Sequence, residues 1–234
     1  MLIPSTSSNK TLLTDDVDDR SVARRQLIEK LFWISGRSLY WHWFQMECYG
    51  LENIPQDRPY ILASNHNSHL DAGAIVASLW HQTDRVYSLV AKDYFCDGCV
   101  KEWFVKTFFN GIPFDRRGQF MDGVRGCEDV ISKRCPVIMF PEGTRSRTGK
   151  LQPFKPGLGF LALKLNVPIV PVCIEGTYQA LPKGKWFPRR HPIQVRFGSP
   201  VEIVPYLEKQ EKASRQLYQQ IVNDVSNAIE ELRG

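Results

Sequence analysis

The sequence predicts an α/β fold: a mixed central sheet flanked by helices, entered through an N-terminal helical segment. Three observations carry this. From residue 59 onward, short apolar runs of strand length recur, and segments with helical spacing lie between most of them. At 234 residues the chain can bury a substantial core, with one domain and an appendage as the simplest division. A hydrophobic fraction of 43% puts it among globular chains rather than disordered ones.

The elements follow in order. Residues 1–19, rich in Ser, Thr and Asp, read as a disordered tail. Residues 20–50 read as the helical segment. Leu27, Ile28, Leu31 and Phe32 keep helical spacing among Arg24, Arg25 and Lys30, and Leu39, Tyr40, Trp41, Trp43 and Phe44 follow Gly36. Aromatic rings with flanking cations suit the membrane–water boundary; a helix packed on the domain's own core is the other reading. Residues 51–234 form the main domain. Strands are expected over 60–63, 85–91, 137–140, 169–174 and 193–197. Helices are expected over 72–80, 100–109, 119–132 and 158–165. Leu217, Ile221, Val225, Ala228 and Leu232 mark one face of a long terminal helix.

Composition narrows the classes. The net charge is +5, and the excess is local. Residues 144–155 hold Arg145, Arg147, Lys150 and Lys155 without an acid; residues 183–196 hold Lys183, Lys185, Arg189, Arg190 and Arg196, again without one. Such patches attract phosphates on lipid, cofactor or nucleic acid; a solvated basic face is the plainer reading of either alone. No apolar run reaches about 18 residues, so no transmembrane helix is expected. The polar, acidic N-terminus is unlike a signal peptide. Cys96 and Cys99 form a CxxC with no second Cys or His pair at zinc spacing, so reduced cytosolic thiols are expected and no metal site.

Two blocks carry chemistry. Ser64-Asn65-His66-Asn67-Ser68-His69-Leu70-Asp71 follows an apolar run. A neutral imidazole held by a carboxylate is a general base for a hydroxyl. On a regular helix His66 and Asp71 would point about 140° apart, so their contact needs a tight loop at a strand end. Asn65, Asn67 and Ser68 suit that loop, because their side chains bond back to the backbone. A strand-to-helix turn with an Asp near the helix N-terminus is the plainer reading of the block alone. Phe140-Pro141-Glu142-Gly143-Thr144-Arg145-Ser146 follows the buried-strand run 136–139. It sets a carboxylate, a permissive glycine, a hydroxyl and a phosphate-matching guanidinium where open α/β sheets bind ligands. Gly111-Ile112-Pro113-Phe114-Asp115-Arg116-Arg117 lies between these blocks, and Val167-Pro168-Ile169-Val170-Pro171-Val172 after them.

In this order the four blocks resemble the glycerolipid acyltransferase family typified by lysophosphatidic acid acyltransferases. The resemblance covers roughly residues 50–200. His66 and Asp71 match its His-x4-Asp motif, Gly111 to Arg116 its acceptor-side block, and Phe140 to Ser146 its Phe-Pro-Glu-Gly-Thr-Arg-Ser block. Val167 to Val172 match its proline-containing strand, and Lys92 and Phe154 to Gly157 are similar to family positions. It implies that residues 51–234 are an acyltransferase domain acting in phospholipid biosynthesis. His66 would be the general base and Asp71 its partner. Arg116, Glu142, Gly143, Thr144 and Arg145 would bind a lysophosphatidic acid-like acceptor. The donor would be acyl-CoA or acyl carrier protein, with no resident cofactor. The partner surface would be a membrane, with no nucleic acid, and the protein would sit peripherally on its cytoplasmic face through residues 20–50.

Rival readings are an acyltransferase on another lysophospholipid or glycolipid, a metal-dependent hydrolase with His66, His69 and Asp71 as ligands, and a non-enzymatic membrane-binding module. Against the hydrolase stands the spacing His-x2-His-x-Asp in place of His-x-His-x-Asp. Against the module stands the coincidence of His66, Asp71 and Glu142. No Gly-x-Ser-x-Gly is present for a serine hydrolase.

Overall fold

The computed structural model describes residues 27, 28, 30, 31, 34–79, 85–92, 110–115, 120–208 and 214–233. The helix expected over 100–109, the Cys96–Cys99 pair, Arg116 and most of residues 1–33 lie outside the described residues.

Among the described residues seven strands form one sheet: β1 (Glu47–Tyr49), β2 (Ile61–Ser64), β3 (Tyr87–Ala91), β4 (Gly111–Phe114), β5 (Val137–Met139), β6 (Ile169–Glu175) and β7 (Gln194–Phe197). Their order is β1-β7-β6-β2-β5-β3-β4. Every pairing is parallel except β6 with β7, so the sheet is mixed, as the sequence predicts. The described α-helices are α1 (Leu70–Ser78), α2 (Phe120–Ser132), α3 (Gly157–Leu165), α4 (Thr177–Ala180), α5 (Val204–Glu208) and α6 (Arg215–Glu231).

A largely parallel sheet must cover both faces, and alternate strand residues serve different cores. Ile61, Ala63, Val137, Met139 and Ile169 face one cluster with Val124, Leu158, Leu161, Leu217, Ile221 and Val225 from α2, α3 and α6. Leu62, Ile138, Val170 and Val172 face the other, with Ala74, Ile75 and Val76 of α1 and with Tyr40 and Phe44. Side chains buried on α6 are Leu217, Ile221, Val222, Val225 and Ile229, so the expected Ala228 cedes its place to Ile229, one residue on. The helix starts on Ser214, whose hydroxyl accepts the Leu217 N–H at 3.3 Å.

Two departures from the sequence expectation concern edges. β1 is an outer strand of the sheet, so the boundary expected at 50/51 runs through the domain. Its three residues, Glu-Cys-Tyr, are too few and too polar to show an apolar run. β4 is the opposite edge strand, where Pro113 is tolerated because an edge asks for fewer N–H donors.

The N-terminal segment also divides. Residues 39–43 form a π-helical turn, and its Tyr40 and the following Phe44 are 8% and 0% exposed. Tyr40 donates to the Leu70 carbonyl at 2.8 Å, over Gly73, whose hydrogen leaves room for it. Phe44 was expected at a membrane boundary; it is core. Leu27, Ile28, Leu31, Ile34, Leu39, Trp41 and Trp43 are exposed. No helix among the described residues is long and apolar enough to cross a membrane.

Candidate active site

The C-terminal ends of β2, β5 and β6 lie side by side, with Ala63 paired to Met139 on one flank and to Pro171 on the other. Chain leaving β2 therefore meets chain leaving β5 within a few residues. Asn65 secures the departure. Its amide donates to the Ile174 carbonyl and its oxygen accepts the Ile174 N–H, both at 2.8 Å, so a side chain continues the ladder to β6. The sequence expectation that Asn65 bonds back within its own loop is thus replaced by a bond across the sheet.

Residues 66–71 then make the tight loop that the His66–Asp71 spacing requires. Asp71 stands in the first turn of α1, fully buried, and one oxygen collects three donors. The Asn67 N–H lies at 2.6 Å, the Ser68 N–H at 2.8 Å and His66 Nδ1 at 2.9 Å. A carboxylate reaching back to N–H groups ahead of its helix is the acidic half of a capping box. Here it also fixes the imidazole. With Nδ1–H donated to Asp71, the lone pair is on Nε2. The ring is partly exposed and stacks on Phe140, with centroids 4.1 Å apart.

The 140–146 block holds the same histidine from the other side. A turn closes from the Gly143 N–H to the Phe140 carbonyl at 3.0 Å. Gly143 takes φ +72°, and a Cβ there would press on the Lys155 side chain, so glycine suits both backbone and space. This turn sends Glu142 inward. Its Oε1 accepts the His66 N–H at 2.8 Å. The Ser146 N–H donates to the His66 carbonyl at 2.7 Å. Both backbone groups of His66 are thus held by one block, which gives the two blocks a physical reason to occur together. Burial pushes the Glu142 carboxyl up to about 7, against the His66 N–H that favours its charge.

Of the residues expected to bind an acceptor, Glu142 is 3% exposed and turned onto His66. There it holds the backbone of His66 in place. Gly143 shapes the turn. Thr144 is exposed and accepts from Lys183 Nζ at 3.3 Å, and Arg145 is half-buried on the same loop. Lys92 Nζ lies 3.5 Å from Asp122. Ser68 accepts the Leu70 N–H at 3.2 Å, as a residue suited to this loop, but sequence reasoning missed the bonds by which Ser68 and Lys183 tie separate loops together. The Ser68 hydroxyl donates to the Leu181 carbonyl at 2.7 Å, a bond between residues 113 positions apart that no local pattern announces.

His66, His69 and Asp71 do not converge as three ligands. His69 is exposed ahead of α1, while the Asp71 oxygen nearest His66 is occupied by N–H donors. Among the described residues no group of three or more His, Cys, Asp or Glu is placed to hold a metal ion.

The family model described as Acyltransferase matches residues 45–175. A chloroplastic 1-acyl-sn-glycerol-3-phosphate acyltransferase of Brassica napus is 33% identical over 145 residues, 60% of this chain and 40% of that protein. The 1-acyl-sn-glycerol-3-phosphate acyltransferase alpha of Mus musculus is 29% identical over 168 residues, 69% of this chain and 56% of that one. The chain thus spans about half the length of these two relatives or less. The crystal structure of the 1-acyl-sn-glycerophosphate (LPA) acyltransferase PlsC from Thermotoga maritima superposes with a TM-score of 0.66 at 27% identity, over 92% of this chain and 83% of that one. The matched span runs from β1 through β6 and takes in both loops that grip His66, and the chain belongs to the acyltransferase family.

Proposed function

We propose that this chain moves a fatty acyl group from an acyl thioester to the hydroxyl of a lysophosphatidic acid-like glycerophosphate, in phospholipid biosynthesis at a membrane surface. The observation that carries this is the 2.9 Å contact of His66 Nδ1 with buried Asp71, which leaves Nε2 as the base. The activities for which the relatives are named supply the substrate class.

In this reading the acceptor oxygen attacks the thioester carbonyl while Nε2 of His66 takes its proton. The imidazolium that forms is stabilised by Asp71. The tetrahedral intermediate collapses, the C–S bond breaks, and the proton passes to the departing sulfur. The products are an ester and a thiol, and no protein nucleophile is consumed. The N–H groups of His66, Asn67 and Ser68 already donate to Glu142 and Asp71. Donors for the developing oxyanion must therefore come from elsewhere in the site. Thr144 and Arg145, with Arg116, would hold the acceptor's phosphate; Glu142 acts by positioning the base. The donor is acyl-CoA or acyl carrier protein, and the protein works as a peripheral enzyme on the cytoplasmic face.

The test is thiol release from an acyl thioester with lysophosphatidic acid as acceptor. His66→Ala should lower it by roughly 10²-fold or more, with an unchanged circular dichroism spectrum. Near-normal release by the folded variant would refute the mechanism.

A further inference from the structure

Trp186 and Phe187 are 87% and 86% exposed, far beyond any other large apolar side chain among the described residues. Neither the sheet nor the proposed chemistry uses them. Their loop is nonetheless built. Its neck is closed by the Arg189 N–H, which donates to the Ala180 carbonyl at 2.7 Å. A turn runs from Pro182 to Lys185, with the Lys185 N–H 3.1 Å from the Pro182 carbonyl. Gly184 occupies its third position at φ +93°, as a type II turn requires. A Cβ on Gly184 would meet nothing within 4 Å, so the tip stands clear of the domain. In sequence the rings are flanked by Lys183, Lys185, Arg189 and Arg190, with no acid between residues 180 and 192.

Two adjacent rings bare to water, bordered by cations, match the layering of an anionic bilayer. Rings favour the boundary between headgroups and chains, and Lys and Arg favour the phosphates above it. The loop is also fastened to the loops that carry the base. The Leu181 carbonyl accepts from Ser68, and Lys183 donates to Thr144.

We propose that residues 182–190 form a membrane-docking loop, which inserts Trp186 and Phe187 into an anionic lipid surface and brings the His66 site against it. An acidic protein has matching charge, but two rings raised on an open tip, rather than set in a groove, favour a bilayer. This contact is additional to the N-terminal segment. Its test reads lipid contact directly, so it fails or stands separately from the acyl-transfer reading, which thiol release decides.

The experiment uses the full chain with phosphatidylglycerol vesicles whose acyl chains carry bromine, a contact quencher of tryptophan emission. Trp186→Tyr should remove a distinct part of the quenching, and the Trp41→Tyr/Trp43→Tyr variant should retain that part. Trp186→Ser/Phe187→Ser should weaken vesicle binding by roughly tenfold or more, since two buried rings are lost. That variant should still release thiol at the wild-type rate with a short-chain, water-soluble acceptor. Quenching unchanged by Trp186→Tyr, or vesicle affinity unchanged by the double substitution, would overturn the proposal. So would lost binding of acyl carrier protein with vesicle binding intact, which would mark the loop as a protein-docking surface.

Discussion

Asp71 is a single residue with two tasks, shaping the loop through the Asn67 and Ser68 N–H groups and orienting His66. Asp71→Asn keeps an oxygen for all three donors, because they share one Asp71 oxygen, but it removes the negative charge that stabilises the imidazolium formed when His66 takes the proton. Its thiol release should fall by roughly 10²-fold or more with the fold retained; a rate within a few-fold of wild type would remove Asp71 from the mechanism. His69→Ala should be close to wild type, because His69 is exposed and stands outside the dyad. A loss equal to that of His66→Ala would mean that the wrong imidazole has been chosen. Arg145 bears on the acceptor. A forked guanidinium matches a phosphate monoester, and a charge-assisted hydrogen bond is worth about 1.5–3 kcal/mol. Arg145→Ala should therefore cost roughly 10- to 150-fold in kcat/KM for lysophosphatidic acid and much less for lysophosphatidylcholine, with Arg145→Lys recovering part. Equal effects on both lysolipids would move the phosphate site elsewhere. The dyad was legible in the sequence because its two residues are five apart and bracket a loop. Glu142 was legible as a residue but not as a support, because its partner is the backbone of a residue 76 positions away.

Elements were legible where a strand is central and apolar. β2, β5 and β6 bury nearly every side chain, so each stands out as a continuous apolar run. Edge strands escape that signal: β1 has burial on one side at most, and β4 carries a proline and reads as a motif instead. Helical period likewise failed to say which ring of 39–44 turns inward, since Tyr40, Trp41, Trp43 and Phe44 are all large and aromatic. The structure separates them, and the separation is testable. Trp41→Ser/Trp43→Ser should weaken co-sedimentation with anionic liposomes, and the remaining association should fall with salt, while thermal stability holds. Phe44→Ser should do the reverse, because Phe44 is fully buried beside Tyr40, with centroids 5.6 Å apart. Truncating such a phenylalanine costs about 3–5 kcal/mol. Unchanged liposome binding in the double tryptophan variant would remove that surface from membrane contact.

The stability of the folded domain and the support of the site share one residue's protonation. The layered α/β architecture could be read from alternating strands and helices, but the sequence could not say that the loop after β5 would bury a carboxyl beneath the loop after β2. Glu142 is that carboxyl, and burial raises it from 4.5 to about 7. The folded state thus binds this proton more tightly than the unfolded chain does. The stability it contributes is fully present below about pH 4.5 and is lost as pH rises through about 7. A rise of that size corresponds to about 3 kcal/mol, a large share of the roughly 5–15 kcal/mol that holds a domain folded. Glu142→Gln keeps an oxygen to accept the His66 N–H and removes the titration. Relative to this variant, wild type should lose unfolding free energy progressively from pH 4.5 to 7.5 in urea titrations. Other groups titrate in the same window, so only the difference between the two proteins isolates Glu142. Parallel curves across that range would show that Glu142 is ionised in the fold throughout and that its pocket is wetter than its 3% exposure implies.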